Sequence, residues 1–250
     1  MVILLFILGL CIGSFINAAV YRIKNDRPIS HGRSFCPKCK KQLGWYDLVP
    51  VLSYLVLRGK CRNCHKSISP AYPIIELLTG LSFALFYLAN VAVFNTPLIA
   101  GLYLAIIAVV VFIVLYDFKY YLILDASVFL GIALALPISI IRGSIAVDVI
   151  SALGLFALFL GMYMFSKGRW LGFGDVKLAI FLGLISGPLV FLTLILSSWM
   201  GVLVGLVLFL SRHGKGLKTE LPFGTLLGLA AIIVLIGSTY LSDIISQYMF

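Results

Sequence analysis

Four cysteines in the sequence have the spacing of metal ligands. Cys36 and Cys39 form one CxxC pair, and Cys61 and Cys64 form a second pair after an interval of 21 residues. Each pair can place two thiolates on one face of a tetrahedral ion, so the two pairs predict a four-sulfur zinc site with a structural role. Two disulfides are the alternative, which a reducing cytoplasm disfavours. The fifth cysteine, Cys11, lies in an apolar segment and is predicted to pack there.

Two aspartates lie at the ends of apolar segments. Asp117 closes one apolar run, and Asp175 follows the glycines Gly172 and Gly174 at the start of another. Two carboxylates that meet do not both ionise easily, so one can act as a general acid while the other activates water as a base. This is the arrangement of an aspartyl protease. The two glycines would let backbone, or an extended substrate strand, approach Asp175 closely.

The same carboxylates also have structural interpretations. Asp175 could cap its helix, and Asp117 could pair with Lys119 or Lys177. Under that interpretation the chain is a non-proteolytic membrane protein whose zinc module docks a cytoplasmic partner. A transporter that uses these acids for a proton or cation path is a weaker alternative, because transporters usually place their acids near the bilayer midplane.

Two further acids lie near the starts of apolar segments. Asp125 precedes Ala126 and Ser127 and is predicted first to be a helix cap. Glu76 follows Pro73 early in another segment and is either a partner of the helix dipole or part of a polar site.

Composition places all of these residues in a membrane protein. The chain has 250 residues, of which 62% are hydrophobic and 11% charged, with a mean hydropathy of +1.14. A soluble domain carries about 25% charged residues, so a water-soluble globule, a disordered chain and a nucleic-acid-binding domain with a charged shell are excluded. Apolar runs predict about eight transmembrane helices. They lie at residues 2–20, 71–90, 97–116, 121–141, 146–165, 176–187, 189–210 and 223–241.

The basic residues orient these helices. Eleven of the 19 Lys and Arg residues lie in segment 21–70, and an N-terminus outside the cell puts 18 of the 19 on one side. The positive-inside rule makes that side cytoplasmic. The first helix is expected to be an uncleaved anchor, because no Lys or Arg precedes it. Topology and contact with anionic lipid then explain the net charge of +10, without nucleic acid as a partner. The segments on the basic side are 21–70, 117–120, 166–175 and 211–222.

The expected fold is therefore an all-α polytopic membrane protein with a small cytoplasmic zinc-ribbon-like module. The first helix spans residues 1–20, the module spans 21–70, and a bundle of about seven helices spans 71–250. A module of about 50 residues cannot bury enough apolar surface to be stable alone, so a bound metal ion is expected to stabilise it. The apolar stretch from Leu48 to Leu57 is too short to cross a bilayer and is expected either at the interface or packed on the bundle.

The order and spacing of these motifs resemble those of the type IV prepilin peptidases, the membrane leader peptidases of the GxGD aspartyl class. The resemblance covers nearly the whole chain and is specific through its combination of short blocks. The principal blocks are Gly13-Ser14-Phe15-Ile16-Asn17, the cysteine pairs with Trp45-Tyr46-Asp47 and Arg58-Gly59-Lys60, Gly172-Phe173-Gly174-Asp175-Val176-Lys177, and Pro222-Phe223-Gly224.

The resemblance implies a peptidase in the bacterial inner membrane with its active site facing the cytoplasm. Members of the family cut the basic leader from prepilins and pseudopilins just after a glycine, and their two catalytic aspartates fall on Asp117 and Asp175. Many members then methylate the new N-terminal residue with S-adenosylmethionine, and Gly59 and Lys60 belong to the part associated with that step. The residues expected to support the substrate or the active site are Gly172, Gly174, Lys177, Asp125 and Glu76.

Three departures from the family pattern are visible. The family usually has Leu-Pro-Asp where this chain has Leu122-Ile123-Leu124-Asp125, without the proline, and the proline that often follows Pro-Phe-Gly is Thr225 here. The Asn that often follows Trp-Tyr-Asp is Leu48, which bears on methylation more than on cleavage. None of these departures is expected to touch the two aspartates.

Overall fold

A computed structural model describes residues 1–29, 31–211 and 222–249, and its regular structure is helical. The expected all-α class is confirmed. In the described residues, extended pairing is limited to two isolated bridges, Phe35 with Gln42 and Lys60 with Ser67. The helices are α1 (Val2–Lys24), α2 (Leu52–Val56), α3 (Ala71–Ala89), α4 (Pro97–Tyr120), α5 (Asp125–Ile141), α6 (Ile145–Ser166), α7 (Phe173–Ser186), α8 (Val190–Ser211) and α9 (Phe223–Met249).

Among the described residues, eight long helices correspond to the eight predicted apolar segments, and the majority of their ends agree to within a few residues. Five segments of the described chain are long and apolar enough to cross a membrane, and the last of them joins α7 and α8 through the turn at Gly187 and Pro188. Helix α5 and the described apolar part of α9 are shorter. The five segments are Val2–Lys24, Ala71–Ala89, Pro97–Tyr120, Ile145–Ser166 and Phe173–Leu210.

The chain forms two compact units, residues 1–88 and 89–250. In the first unit α1 packs closely on α3, because glycines leave no side chain between the two backbones. A Cβ atom on Gly9 would lie 2.7 Å from the Cα of Gly80, and a Cβ atom on Gly13 would lie 2.8 Å from the Cα of Glu76. Such close approach at small residues is how helices associate in lipid, where apolar surface alone gives no preference for protein over lipid.

In the second unit the short helix α7 is buried on nearly all sides. It packs against α5, α6 and α9, and α4 packs against α5 and α9. A Cβ atom on Gly183 of α7 would overlap the backbone of Ala152 in α6, so the glycine is required for this approach. The packing brings the end of α4 and the starts of α5, α7 and α9 to one end of the unit.

Two expectations from the sequence are not confirmed by the described residues. Cys11 was expected to pack inside, but it is exposed on α1. Lipid is as apolar as a protein core, so apolar character alone does not say which face of a membrane helix points inward. Of the basic segment 211–222, residues 212–221 lie outside the described part of the chain.

Candidate active site and metal centre

Asp117 is held at the end of α4 by the start of α9. Its side chain is buried, and its Oδ2 atom accepts hydrogen bonds from the backbone N–H of Thr225 at 2.6 Å and from the Thr225 hydroxyl at 2.8 Å. Helix α4 ends just beyond, where Tyr121 adopts a left-handed conformation and its N–H bonds the carbonyl of Asp117. The carboxylate therefore has a fixed position, set by two helices far apart in sequence.

Asp175 is the third residue of α7 and is 9% exposed. Its carboxylate accepts a hydrogen bond from the backbone N–H of Gly172, the residue before the helix. This is the return half of a capping box, so Asp175 does contribute to the helix start. Its Oδ1 atom, however, is buried with no hydrogen-bond partner among the described residues. Burying an oxygen without a hydrogen-bond donor costs folding free energy. This oxygen is therefore a site at which a proton or a water molecule would bind.

Ile123 lies between the segments that carry the two aspartates. A Cβ atom on Gly174 would lie 3.1 Å from the Cβ of Ile123, and a Cβ atom on Gly224 would lie 2.9 Å from its Cδ1. The same position on Gly224 would be 3.1 Å from Oδ2 of Asp117. Asp117 is also close enough for its charge to act on Asp175. The structure thus brings both aspartates and both glycines of this region to one end of the second unit.

Asp125 and Lys177 form an ion pair at the same end. The Nζ atom of Lys177 lies 2.7 Å from Oδ2 and 2.8 Å from Oδ1 of Asp125, and both side chains are partly exposed. Asp125 is the first residue of α5 and makes no side-chain cap, so the cap prediction is wrong. The prediction that Asp117 pairs with Lys177 is also wrong. The ion pair instead ties the first residue of α5 to the fifth residue of α7.

Glu76 lies in the first unit, together with the cysteines. Its carboxylate is buried and accepts hydrogen bonds from the backbone N–H of Val51 at 2.8 Å and from Ser14. Gly59 has a left-handed φ of +67°, and Lys60 immediately precedes the second cysteine pair. These three residues therefore belong to the surroundings of the cysteine module within that unit.

The four cysteines of the module converge on one point. Their sulfur atoms all lie within 4.8 Å of one another, and the Sγ atoms of Cys36 and Cys64 are 4.0 Å apart. Four sulfurs at the usual zinc distance of about 2.3 Å form a tetrahedron with edges of about 3.8 Å. All four cysteines are free thiols, so the two disulfides considered as an alternative are not formed in this structure. The cluster is the right size and composition to hold a metal ion.

The two cysteine pairs sit in matching backbone turns. The N–H of Cys36 bonds the carbonyl of Lys41, and the N–H of Cys61 bonds the carbonyl of Lys66, both at 2.9 Å. In each turn the residue after the second cysteine takes a left-handed conformation, with φ near +62° in the first turn and +54° in the second. The module is therefore built from two copies of one metal-binding turn.

Backbone N–H groups in these turns act on the thiols. A hydrogen bond from the Lys41 N–H lowers the pKa of Cys39 to about 6, and backbone donors led by the Cys64 N–H lower the pKa of Cys61. Although the Lys66 N–H favours the thiolate of Cys64, burial and the other three sulfurs raise the pKa of Cys64 to about 11. Each pair thus contains one cysteine whose lowered pKa favours the thiolate, the form that binds a metal. Metal binding would release the proton of Cys64.

Two residues of the aspartate site were missed by the sequence analysis. Thr225 is itself a departure from the family pattern, and Ile123 lies within the stretch Leu122-Ile123-Leu124-Asp125 that departs from it; neither departure was expected to touch the aspartates. That expectation is wrong for Thr225, which supplies two donors to Asp117. A proline at that position would supply neither, since it lacks both the N–H and the hydroxyl. The departures were themselves the signal that could have identified these residues.

Comparison with known proteins finds two matching family models. Residues 7–90 match the bacterial peptidase A24 N-terminal domain, and residues 103–206 match the type IV leader peptidase family. Similar proteins include prepilin leader peptidase/N-methyltransferases of three bacteria. The Myxococcus xanthus protein is 34% identical, and the match covers 86% of this chain but only 65% of that protein's length.

The other two relatives are matched over more of their length. The Vibrio cholerae protein is 34% identical, with 74% of this chain and 77% of that protein covered. The Pseudomonas putida protein is 31% identical, with 92% and 88% covered. No solved structure is significantly similar to the chain.

Proposed function

Given that this chain belongs to the type IV leader peptidase family, we propose that it is a membrane aspartyl endopeptidase that removes the basic leader of type IV prepilins and pseudopilins after a glycine. The observation that carries the proposal is the pair of buried carboxylates at one end of the second unit, one of them with an oxygen that lacks a partner among the described residues. Co-expression with a prepilin tests it, because the substrate must shorten by its leader.

In the proposed mechanism Asp117 and Asp175 share one proton and hold the attacking water. Thr225 occupies one oxygen of Asp117, which leaves the other for the water or the shared proton. One carboxyl takes a proton from the water as it attacks the scissile carbonyl, and the other protonates the carbonyl oxygen. The tetrahedral intermediate then collapses as the amine of the mature pilin leaves with a proton. No metal takes part in this step.

The residues around the dyad present the substrate. Gly172 has no side chain next to the Asp175 carboxylate, so an extended substrate strand could approach it there, and the side chain of Phe173, the next residue, is exposed. The ion pair of Asp125 and Lys177 supports the loop that carries Ile123. A prepilin begins with a basic leader and an apolar helix, so its helix would reach this end of the unit from within the bilayer.

The membrane arrangement follows from charge and apolar length. We propose eight transmembrane helices in the bacterial inner membrane, with the N-terminus outside and the dyad facing the cytoplasm. The five candidate spans and the concentration of basic residues in segment 21–70 support this arrangement. The functional parts would be the first helix at residues 1–20, the cysteine module at 21–70 and the protease bundle at 71–250.

The cysteine module serves a second activity in this proposal. Its four sulfurs would bind one structural zinc ion, which fits the tetrahedral size of the cluster. The relatives are named as N-methyltransferases, which implies S-adenosylmethionine as methyl donor for the freed N-terminal amine. Gly59 and Lys60, beside the second cysteine pair, are the residues of this chain that we associate with methylation.

Replacing Thr225 with valine is expected to slow cleavage about 10- to 100-fold. The change removes the hydroxyl bond to Asp117 while keeping the backbone N–H and the side-chain volume, and a hydrogen bond to a charged group contributes about 1.5–3 kcal/mol. The loss should fall on kcat rather than KM, measured on a synthetic prepilin. Thr225→Ser keeps the donor and should retain most of the rate. Equal rates for the serine and valine variants would contradict a role for the hydroxyl.

Replacing Ile123 with alanine is expected to relax the requirement for glycine before the cut. The Ile123 side chain fills the space between Gly174 and Gly224, so a substrate residue with a side chain should not fit beside the dyad. Removing it should raise kcat/KM for an alanine-containing prepilin, relative to the glycine form, by about tenfold or more. Leu122→Ala, in the same loop but exposed, is the matched control. An unchanged ratio in Ile123→Ala would show that another residue sets the specificity.

A further inference from the structure

The segment between the two cysteine pairs carries an apolar surface that the described part of the chain leaves uncovered. The side chains of Trp45, Leu52, Leu55 and Val56 are 79%, 60%, 63% and 75% exposed. The last three belong to the short helix α2. Leu52, Leu55 and Val56 are spaced i, i+3 and i+4, so they share one face of α2, and exposed apolar side chains grouped in this way mark an interaction site.

A hydrogen bond from Val51 shows which part of helix α3 lies beside this surface. The backbone N–H of Val51, the residue before α2, donates to Oε2 of Glu76 at 2.8 Å. Glu76 lies five residues after the start of α3, which is about 7.5 Å along a helix that rises about 1.5 Å per residue. Helix α3 has 19 residues and a length of about 28 Å, close to the bilayer core of about 30 Å. Val51 therefore lies level with the second turn of α3, near one end of a helix about as long as the hydrocarbon core is thick.

The segment is pinned at this depth. Val51 has a φ of +60°, a conformation that β-branched residues rarely adopt, and its bond to the buried Glu76 carboxylate holds it there. Ser14 of α1 bonds the same carboxylate, so two membrane helices of the first unit fix the start of α2. The exposed apolar side chains of α2 are thus held beside those helices.

The flanking residues have the chemistry of a membrane surface. Tyr46 is half exposed next to Trp45, and these two residue types are enriched where lipid headgroups meet water. Arg58 and Lys60 follow α2, and segment 21–70 holds 11 basic residues against two acids. Long basic side chains reach anionic headgroups while their stems lie along apolar surface.

We propose that residues 45–57 form an interfacial anchor that inserts its apolar side chains into the lipid headgroup and upper acyl region of the bilayer. The anchor is tied to the metal cluster, because Asp47 forms a 2.9 Å ion pair with Arg62, which lies inside the second cysteine pair. It therefore holds the cysteine cluster against the membrane surface. The inference rests on the proposed membrane location and is independent of the proposed peptidase activity.

Fluorescence of Trp45 tests the anchor in the full-length protein. The chain has three tryptophans, so Trp170→Phe with Trp199→Phe leaves Trp45 alone. In zinc-loaded protein in nanodiscs, brominated phosphatidylcholine is expected to quench its emission by roughly half, the result for an indole buried about 5–10 Å into the interface. Iodide in the aqueous phase should quench it weakly.

Two results would overturn the anchor. Strong quenching by iodide with none by bromolipid would place Trp45 in water. Protection from both quenchers would mean that the surface is covered by another part of this chain or by a second copy. A second variant checks the apolar contact: Val56→Glu should reduce bromolipid quenching of Trp45, while Gln42→Glu, an equally acidic change at an exposed residue of the module outside residues 45–57, should leave most of it. Retention of one zinc ion per chain establishes that each variant is folded.

Discussion

Replacing either Asp117 or Asp175 with asparagine is expected to lower the rate of prepilin cleavage by at least about 10³-fold, with the protein still present in the membrane. An amide keeps the shape of the side chain but cannot exchange the proton that the proposed mechanism moves between water, carbonyl and amine. Because the two groups act as one unit, the double variant should be no slower than the slower single variant. Single-turnover cleavage of a prepilin by the purified variants measures both effects.

Asp148→Asn provides a matched control for the aspartate variants. Asp148 is also a buried acid of the second unit, and its Oδ2 accepts a hydrogen bond from Ser144 at 2.7 Å, which the oxygen of an amide can still do. This variant should cleave at close to the wild-type rate. If Asp117→Asn and Asp175→Asn instead cleave well and only accumulate less, the two carboxylates are structural, as in a protein whose module docks a partner.

Replacing Cys36 or Cys61 with serine is expected to reduce bound zinc from about one ion per chain to a small fraction of that. Both side chains are buried in the cluster, and the four-sulfur site depends on all of them. Structural zinc sites supply about 10–16 kcal/mol of apparent binding free energy, which is folding free energy for a module this small. Elemental analysis should show the loss of zinc, and limited proteolysis should cut between the cysteine pairs.

Cys11→Ser is the matched control for the metal site. Cys11 is exposed on α1 and lies outside the cluster, so its replacement should leave the zinc content unchanged. Because Asp117 and Asp175 belong to the other unit, the cysteine variants should lose methylation before they lose cleavage. Undiminished zinc in Cys36→Ser and Cys61→Ser would mean that the metal binds at a site other than the four-cysteine cluster.

The positions of the helices were predictable because a bilayer leaves few choices. Backbone polar groups need partners inside lipid, so an apolar run of about 20 residues must be a helix there. The cysteine cluster was predictable for a similar reason, since each CxxC spacing by itself brings two sulfurs to one side of an ion. Both inferences use only local sequence, and the structure agrees with both.

The partners of the carboxylates were not predictable from local sequence. Asp117 meets Thr225 across 108 residues, and Asp125 meets Lys177 across 52. Such contacts depend on how each helix is rotated about its axis. Apolar character does not fix that rotation in a membrane, as the exposed Cys11 shows. The prediction that Asp125 caps its helix was wrong for this reason. Its carboxylate pairs instead with Lys177, which belongs to a different helix.

The most direct test is mass spectrometry of a synthetic prepilin after incubation with the purified, detergent-solubilised protein and S-adenosylmethionine, beside Asp175→Asn. We expect the wild type to release the leader at the bond after the glycine and to add one methyl group to the new N-terminus, and we expect Asp175→Asn to leave the prepilin intact. Leader loss without the methyl group would keep the peptidase and remove the methyltransferase. An intact prepilin with folded, zinc-loaded wild-type protein, or equal cleavage by Asp175→Asn, would contradict the aspartyl peptidase.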